Sequence, residues 1–129
     1  KLKKFFYDFS MKYYKLKYRL SITHSADNNE EHKHNHVLEG EIFAEPSADN
    51  FVEFSDMEDM VNKTLEIYQN QYLNSLEEFA GDANIENVGE VFWRKLVKVF
   101  DKNGWKLIRL EIGENPLRVY AVSVKEIRL

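Results

Sequence analysis

Tyr14-Lys15-Leu16-Lys17-Tyr18-Arg19-Leu20-Ser21-Ile22-Thr23-His24 alternates without a break between two kinds of side chain. Tyr14, Leu16, Tyr18, Leu20, Ile22 and His24 fall on one side of an extended chain, and Lys15, Lys17, Arg19, Ser21 and Thr23 fall on the other. Period two over this length predicts a strand from Tyr13 to His24 with one buried face. Ser25 to Glu31 (SADNNEE) is polar and reads as a loop, after which His32 to Ala44 resumes as a second strand carrying Val37, Leu38, Ile42 and Phe43. The two form a long antiparallel pair.

Outward from this pair the periodicity changes. Glu45-Pro46-Ser47-Ala48-Asp49-Asn50 reads as a turn and Phe51–Phe54 as a short extended piece. Ser55, with Glu58 three residues on, has the spacing of a capping box. Met57, Met60, Val61, Leu65 and Tyr68 then recur at helical intervals. Past a loop at Gly81-Asp82, a second helix is marked by Ile85, Val88, Phe92, Leu96 and Val99 and stopped by Asn103-Gly104. Trp105–Ile112 and Leu117–Val124 read as two further strands around Gly113-Glu114-Asn115-Pro116. The order ββααββ predicts an α+β domain, a four-stranded antiparallel sheet with both helices on one face. Residues 1–10 are read as an N-terminal extension and residues 11–129 as a single domain.

The composition bounds the chemistry. The chain has 129 residues, 22 acidic and 18 basic, and no cysteine. That length suits one domain able to bury roughly two thirds of its unfolded surface. Without cysteine there is no disulfide framework, no thiolate zinc site and no thiol nucleophile. The net charge of −4 disfavours sequence-independent binding of nucleic acid. No stretch approaches the ~20 apolar residues of a membrane span, so no membrane partner is expected and the expected compartment is the cytoplasm.

All four histidines lie between positions 24 and 36, three of them in His32-Lys33-His34-Asn35-His36. On a strand, residues two apart share a side, so His32 and His34 aim at one volume. His24 ends the preceding strand on its apolar face, where an antiparallel partner brings it alongside. Three neutral imidazoles suit Zn2+ with a fourth position open to water or substrate. The competing reading is a solvated strand edge. His36 is left over, either as a fourth ligand or, the reading favoured here, as a simple continuation of the strand.

These residues resemble the 6-pyruvoyl-tetrahydropterin synthase family, which includes the bacterial 6-carboxytetrahydropterin synthases of the queuosine pathway. Leu20-Ser21-Ile22-Thr23-His24 is similar to the family's Phe-x-Ala-x-His, and His32-Lys33-His34-Asn35-His36 to its His-Gly-His-Asn-Tyr. Phe51–Met57, Leu73-Asn74, Ile85-Glu86-Asn87 and Leu110-Glu111 followed by Tyr120 resemble later family segments in the family's order. The resemblance implies the T-fold, Zn2+ on His24, His32 and His34, and a pterin held by Glu111. It also implies a homo-oligomer, usually a hexamer of two trimers joined through sheet edges, and lyase chemistry on 7,8-dihydroneopterin triphosphate or a related pterin.

The departures are as informative. Where the family carries a catalytic cysteine this chain has Ala26, Asp27 and Asn28, and where it carries an Asp-His pair this chain has Gln69 and Asn70. Glu30, two residues before His32, resembles a glutamate that in some members replaces the cysteine as the acid–base group. The alternatives are a catalytically degenerate pterin- or metal-binding protein, and an enzyme that cleaves the pterin side chain with Glu30. For Glu30 the bland reading is a solvated loop carboxylate, and for Glu111 an ion pair with Arg109 or Arg118.

Overall fold

A computed structural model describes residues 12–46 and 51–125. The expected N-terminal extension, the turn residues 47–50 and the final Arg128-Leu129 lie outside the described residues. Strands β1 (Tyr14–His24) and β2 (His34–Pro46) are followed by helices α1 (Phe54–Leu65) and α2 (Ile85–Lys102), then by strands β3 (Trp105–Asn115) and β4 (Arg118–Ser123). The sheet is antiparallel throughout, in the order β1-β2-β3-β4, so each strand pairs with its sequence neighbour.

The alternation in β1 buries Leu16, Tyr18, Leu20, Ile22 and His24. From β2 and β3, Leu38, Ile42, Leu107, Leu110 and Ile112 join them beneath the helices. Met57, Val61 and Leu65 of α1, and Val88, Val91, Phe92, Leu96 and Phe100 of α2, close the core from above. Each such side chain contributes about 1.5–3 kcal/mol when fully buried. Tyr68 stacks on Phe92 at 5.4 Å between centroids and meets Phe79 edge-on at 5.5 Å.

Two local signals resolve differently. Helix α1 starts at Phe54, which packs edge-on against Tyr14, and its N-cap is Glu53 with no side-chain cap bond. Ser55 therefore lies inside the first turn, and the capping box expected from Ser55 and Glu58 does not form. Helix α2 is capped by side chain: the Asn84 carbonyl oxygen accepts from the Asn87 backbone N–H at 2.8 Å. Gly40 shows how tightly β2 meets its neighbours, since a Cβ there would overlap the Glu111 carbonyl oxygen and sit 2.6 Å from the Tyr18 hydroxyl. That hydroxyl donates to the same carbonyl at 2.9 Å. Burial, and then the nearby Glu111, push its pKa above the ordinary phenol value.

Candidate metal centre

The β1–β2 register sets His24 opposite His34 and Ile22 opposite His36. Leu38 points into the core, so counting back by two along β2 puts His36 and His34 on that same face. The three imidazoles His24, His34 and His36 gather at one end of the sheet, with one ring nitrogen from each within 4.8 Å of the others. Ring centroids are 4.4 to 5.1 Å apart, all edge-on.

Backbone carbonyls orient two of the rings. His24 Nδ1 lies 2.7 Å from the Ala83 carbonyl oxygen and His34 Nδ1 lies 3.0 Å from the His32 carbonyl oxygen. A carbonyl only accepts, so each Nδ1 carries the proton and each Nε2 is left with a free lone pair when the ring is neutral. This carbonyl-fixed tautomer is the arrangement seen behind metal-ligating histidines. His24 is 1% exposed, and its Nε2 has no hydrogen-bond partner, a costly condition for a buried polar atom. Burial, opposed by Glu114 and aided by the other two rings, lowers the His36 pKa and favours the neutral ring.

A carboxylate faces the cluster. Glu114 Oε1 is 3.2 Å from His24 Nε2 and Glu114 Oε2 is 3.3 Å from His36 Nε2. Sequence reasoning missed this residue because the strand was ended at Ile112. Strand β3 continues to Asn115 through an irregularity in its pairing with β4 after Ile112. Gly113 permits that close approach, since a Cβ there would lie 2.7 Å from the Arg118 carbonyl oxygen. The signal was available: Leu110, Ile112 and Glu114 share one face at period two.

The remaining expected site residues lie elsewhere. His32 is not gathered with the other rings, because the chain makes a 3-10 turn at Glu30–His32 before β2 begins. The Asn29 side chain caps that turn by accepting from the Glu31 backbone N–H at 3.0 Å. His32 is exposed there, 2.6 Å from Asp27 Oδ2. Bonds from His32 and then Ser25 hold the Asp27 carboxyl well below the usual range. Glu30 is solvent-facing, 3.4 Å from Lys33 Nζ. Glu111 falls on the opposite parity to Leu110 and Ile112 and pairs with Arg109 Nε at 2.9 Å. That contact is the ion pair weighed against a ligand role in the sequence.

Asn74 is a second contributor without a sequence-assigned role. Its side-chain oxygen accepts from Ser25 N at 2.9 Å and its amide donates to Ser25 O at 2.7 Å, clamping the residue after His24. Gln69 and Asn70 serve β1 instead of a proton relay: Gln69 Oε1 accepts from Ser21 N, and Asn70 N donates to Ser21 O. Beside the cluster lies a cavity of about 410 Å³ whose walls include Ile85, Glu86, Glu114, Arg118 and Tyr120. Tyr120 donates to Glu90 at 2.8 Å, a bond that raises its pKa.

Comparison with known proteins bears on the fold and the family. No curated protein matches the chain. Among solved structures, the Caenorhabditis elegans 6-pyruvoyl tetrahydropterin synthase superposes with a TM-score of 0.65 at 17% identity, covering 91% of this chain and 99% of that one. The Plasmodium falciparum 6-pyruvoyl tetrahydropterin synthase gives 0.57 at 11% identity, covering 87% and 98%. The shared architecture is the T-fold. The family model described as 6-pyruvoyl tetrahydropterin synthase matches residues 5–125, and the chain belongs to that family.

Proposed function

We propose that this protein binds a pterin, 7,8-dihydroneopterin triphosphate or a close relative, beside a Zn2+ ion, and acts on it as a tetrahydropterin-synthase-type lyase. The observation that carries the reading is the imidazole cluster with its carbonyl-fixed tautomers and the buried His24 Nε2, which makes no hydrogen bond. The donor set fits the metal: three imidazole nitrogens on paired strands are ligands that zinc accepts. His24, His34 and His36 would hold it, with His36 in the place first given to His32. A zinc ion bound there supplies Lewis-acid polarisation of a substrate hydroxyl or carbonyl. The cavity walled by Glu86, Glu114, Arg118 and Tyr120 offers hydrogen-bond acceptors for an amino-pyrimidine edge and a cation for phosphate.

A second reading is favoured by a specific observation. Gln69 and Asn70 are bonded to Ser21, and Glu30 pairs with Lys33, so neither the relay positions nor the replacement glutamate faces the histidines. On this reading the chain is a pterin- and metal-binding protein without turnover. Incubating the zinc-loaded protein with 7,8-dihydroneopterin triphosphate and identifying products by mass spectrometry decides between them. Turnover lost in His34→Ala supports the lyase. Turnover lost also in Glu30→Gln supports side-chain cleavage that recruits Glu30. Pterin binding with no product supports the binding protein, and neither binding nor turnover ends the pterin reading.

A further inference from the structure

We infer that Asn87, the third residue of helix α2, is a positioning residue for the metal centre: it holds the Ala83 carbonyl that fixes the His24 ring. This rests on the metal reading above and goes beyond it, because it places part of the grip in a loop and a helix that contribute no ligand.

The first ground is the way the chain is tied on both sides of Ala83. Asn87 Nδ2 donates to the carbonyl oxygen of Phe79 at 3.1 Å and also to that of Asp82. The Asn87 backbone N–H donates to the Asn84 side-chain oxygen at 2.8 Å. Asp82 and Asn84 flank Ala83, so one residue in a helical turn holds the chain before it and the cap after it. Ala83 is 0% exposed, and its carbonyl oxygen lies 2.7 Å from His24 Nδ1. The loop is one that needs holding, since Ala80 has a φ of 51°, a left-handed conformation unfavourable for a residue with a Cβ.

The second ground is what the carbonyl does to the ring. The His24 backbone is fixed by its strand and by the Asn74 bonds to Ser25, which still leaves the imidazole free to turn about its side-chain bonds. A contact on the ring itself removes that freedom. With the Nδ1 edge tied, the ring cannot swing away from His34 and His36, whose centroids lie 4.8 and 5.1 Å from its own. Asn74 ties the same loop a second time, donating to the Gly81 carbonyl oxygen at 3.3 Å. Removing a group that orients a metal-binding histidine from behind weakens metal binding by about 10–100-fold.

The test sets Asn87→Ala against a variant that loses a comparable bond at the other end of the same helix, Asn103→Ala, where Asn103 Nδ2 donates to the Val99 carbonyl oxygen at 2.8 Å. Wild type and His34→Ala complete the set, each protein first checked for native circular dichroism. Zn2+ affinity is measured by chelator competition, and the geometry of the site is read from the visible spectrum of the Co2+-loaded protein. The expected result is an affinity in Asn87→Ala reduced at least about tenfold, with altered Co2+ bands, while Asn103→Ala keeps both at wild-type values. A smaller loss in Asn87→Ala, an unchanged Co2+ spectrum, or an equal loss in Asn103→Ala overturns the positioning role. The three-histidine reading then still stands if His34→Ala loses the metal. If Asn87→Ala lacks native circular dichroism, Asn84→Ala, which removes only the bond beyond Ala83, is read by the same criteria. If wild type takes up no metal, both readings fall.

Discussion

The helix-facing side of the sheet has two unlike regions built on one alternation. Along its body, Leu20, Leu38, Ile42, Leu110 and Ile112 are each 5% exposed or less and need nothing beyond one another and the helices. At its end, the same parity delivers His24, His34, His36 and Glu114, which leave the buried His24 Nε2 without a hydrogen bond. The body is satisfied by apolar burial. The end gathers imidazoles and a carboxylate, and it is there that we propose a metal binds. A strand pattern fixes which way a side chain points and leaves open whether the place it points to is finished.

Perturbing the body should cost most. Phe92→Ala removes a fully buried ring stacked on Tyr68, and we expect a loss of about 3–5 kcal/mol in urea unfolding, the same with or without zinc. The end should behave in the opposite manner. Zinc at a hundredfold excess over Kd should stabilise wild type by about 2.7 kcal/mol, and a chelator or His34→Ala should remove that increment. A zinc increment of equal size in both His34→Ala and wild type would erase the distinction between the regions.

Between these lies the clamp on the loop. Asn74→Ala strips both bonds from the Ser25 backbone in a buried setting, for an expected loss of about 1–3 kcal/mol together with weaker zinc binding. Unchanged zinc affinity would show that the loop does not help to hold His24. Tyr68→Phe is a milder probe of the body, where the lost hydrogen bond to the part-exposed Glu78 is worth at most about 1 kcal/mol. The Tyr68 hydroxyl is the main cause holding the Glu78 carboxyl below its usual range. That contribution is present above the unfolded pKa of about 4.3 and is lost as pH falls through the lower folded value. The gap between wild type and Tyr68→Phe should therefore narrow in acid, and a gap that widens would contradict the assignment. The smallest effect is at Asp27, where His32→Ala should move the carboxyl titration up toward the ordinary value of about 4, as followed by NMR.

Most of the fold was legible because its signals were local and repeated. β1 and the apolar stripes of both helices follow directly from periods of 2 and 3.6 residues. The site was legible only in part, and for a definable reason. The structure brings His24 and His34 together as the pattern expects, because each sits where an unbroken strand puts it. His32 stands apart from them because a short turn capped by Asn29 interrupts the strand, and nothing in the spacing of the histidines marks that interruption. His36 was recoverable from Leu38 by parity, but Val37 and Phe43 are also apolar and blur which face of β2 is inward. Glu114 was hidden in an expected turn that is really strand. Glu111 stood out as a carboxylate among apolar residues, yet Arg109 two residues away answers it across the same strand face.

The sheet's sequential strand order has a consequence in time. The three histidines of the proposed site belong to β1 and β2, the first two strands, whereas the Ala83 carbonyl that orients His24 lies beyond α1 in the sequence. Local hairpins close within microseconds, and contacts distant in sequence form later. A folding chain would thus meet its ion with an unfinished grip that tightens when Ala83 docks against His24. Stopped-flow refolding with Co2+ should show the metal spectrum rising no later than the Trp93 and Trp105 fluorescence, and a spectrum that appears only after that fluorescence is complete would contradict the order.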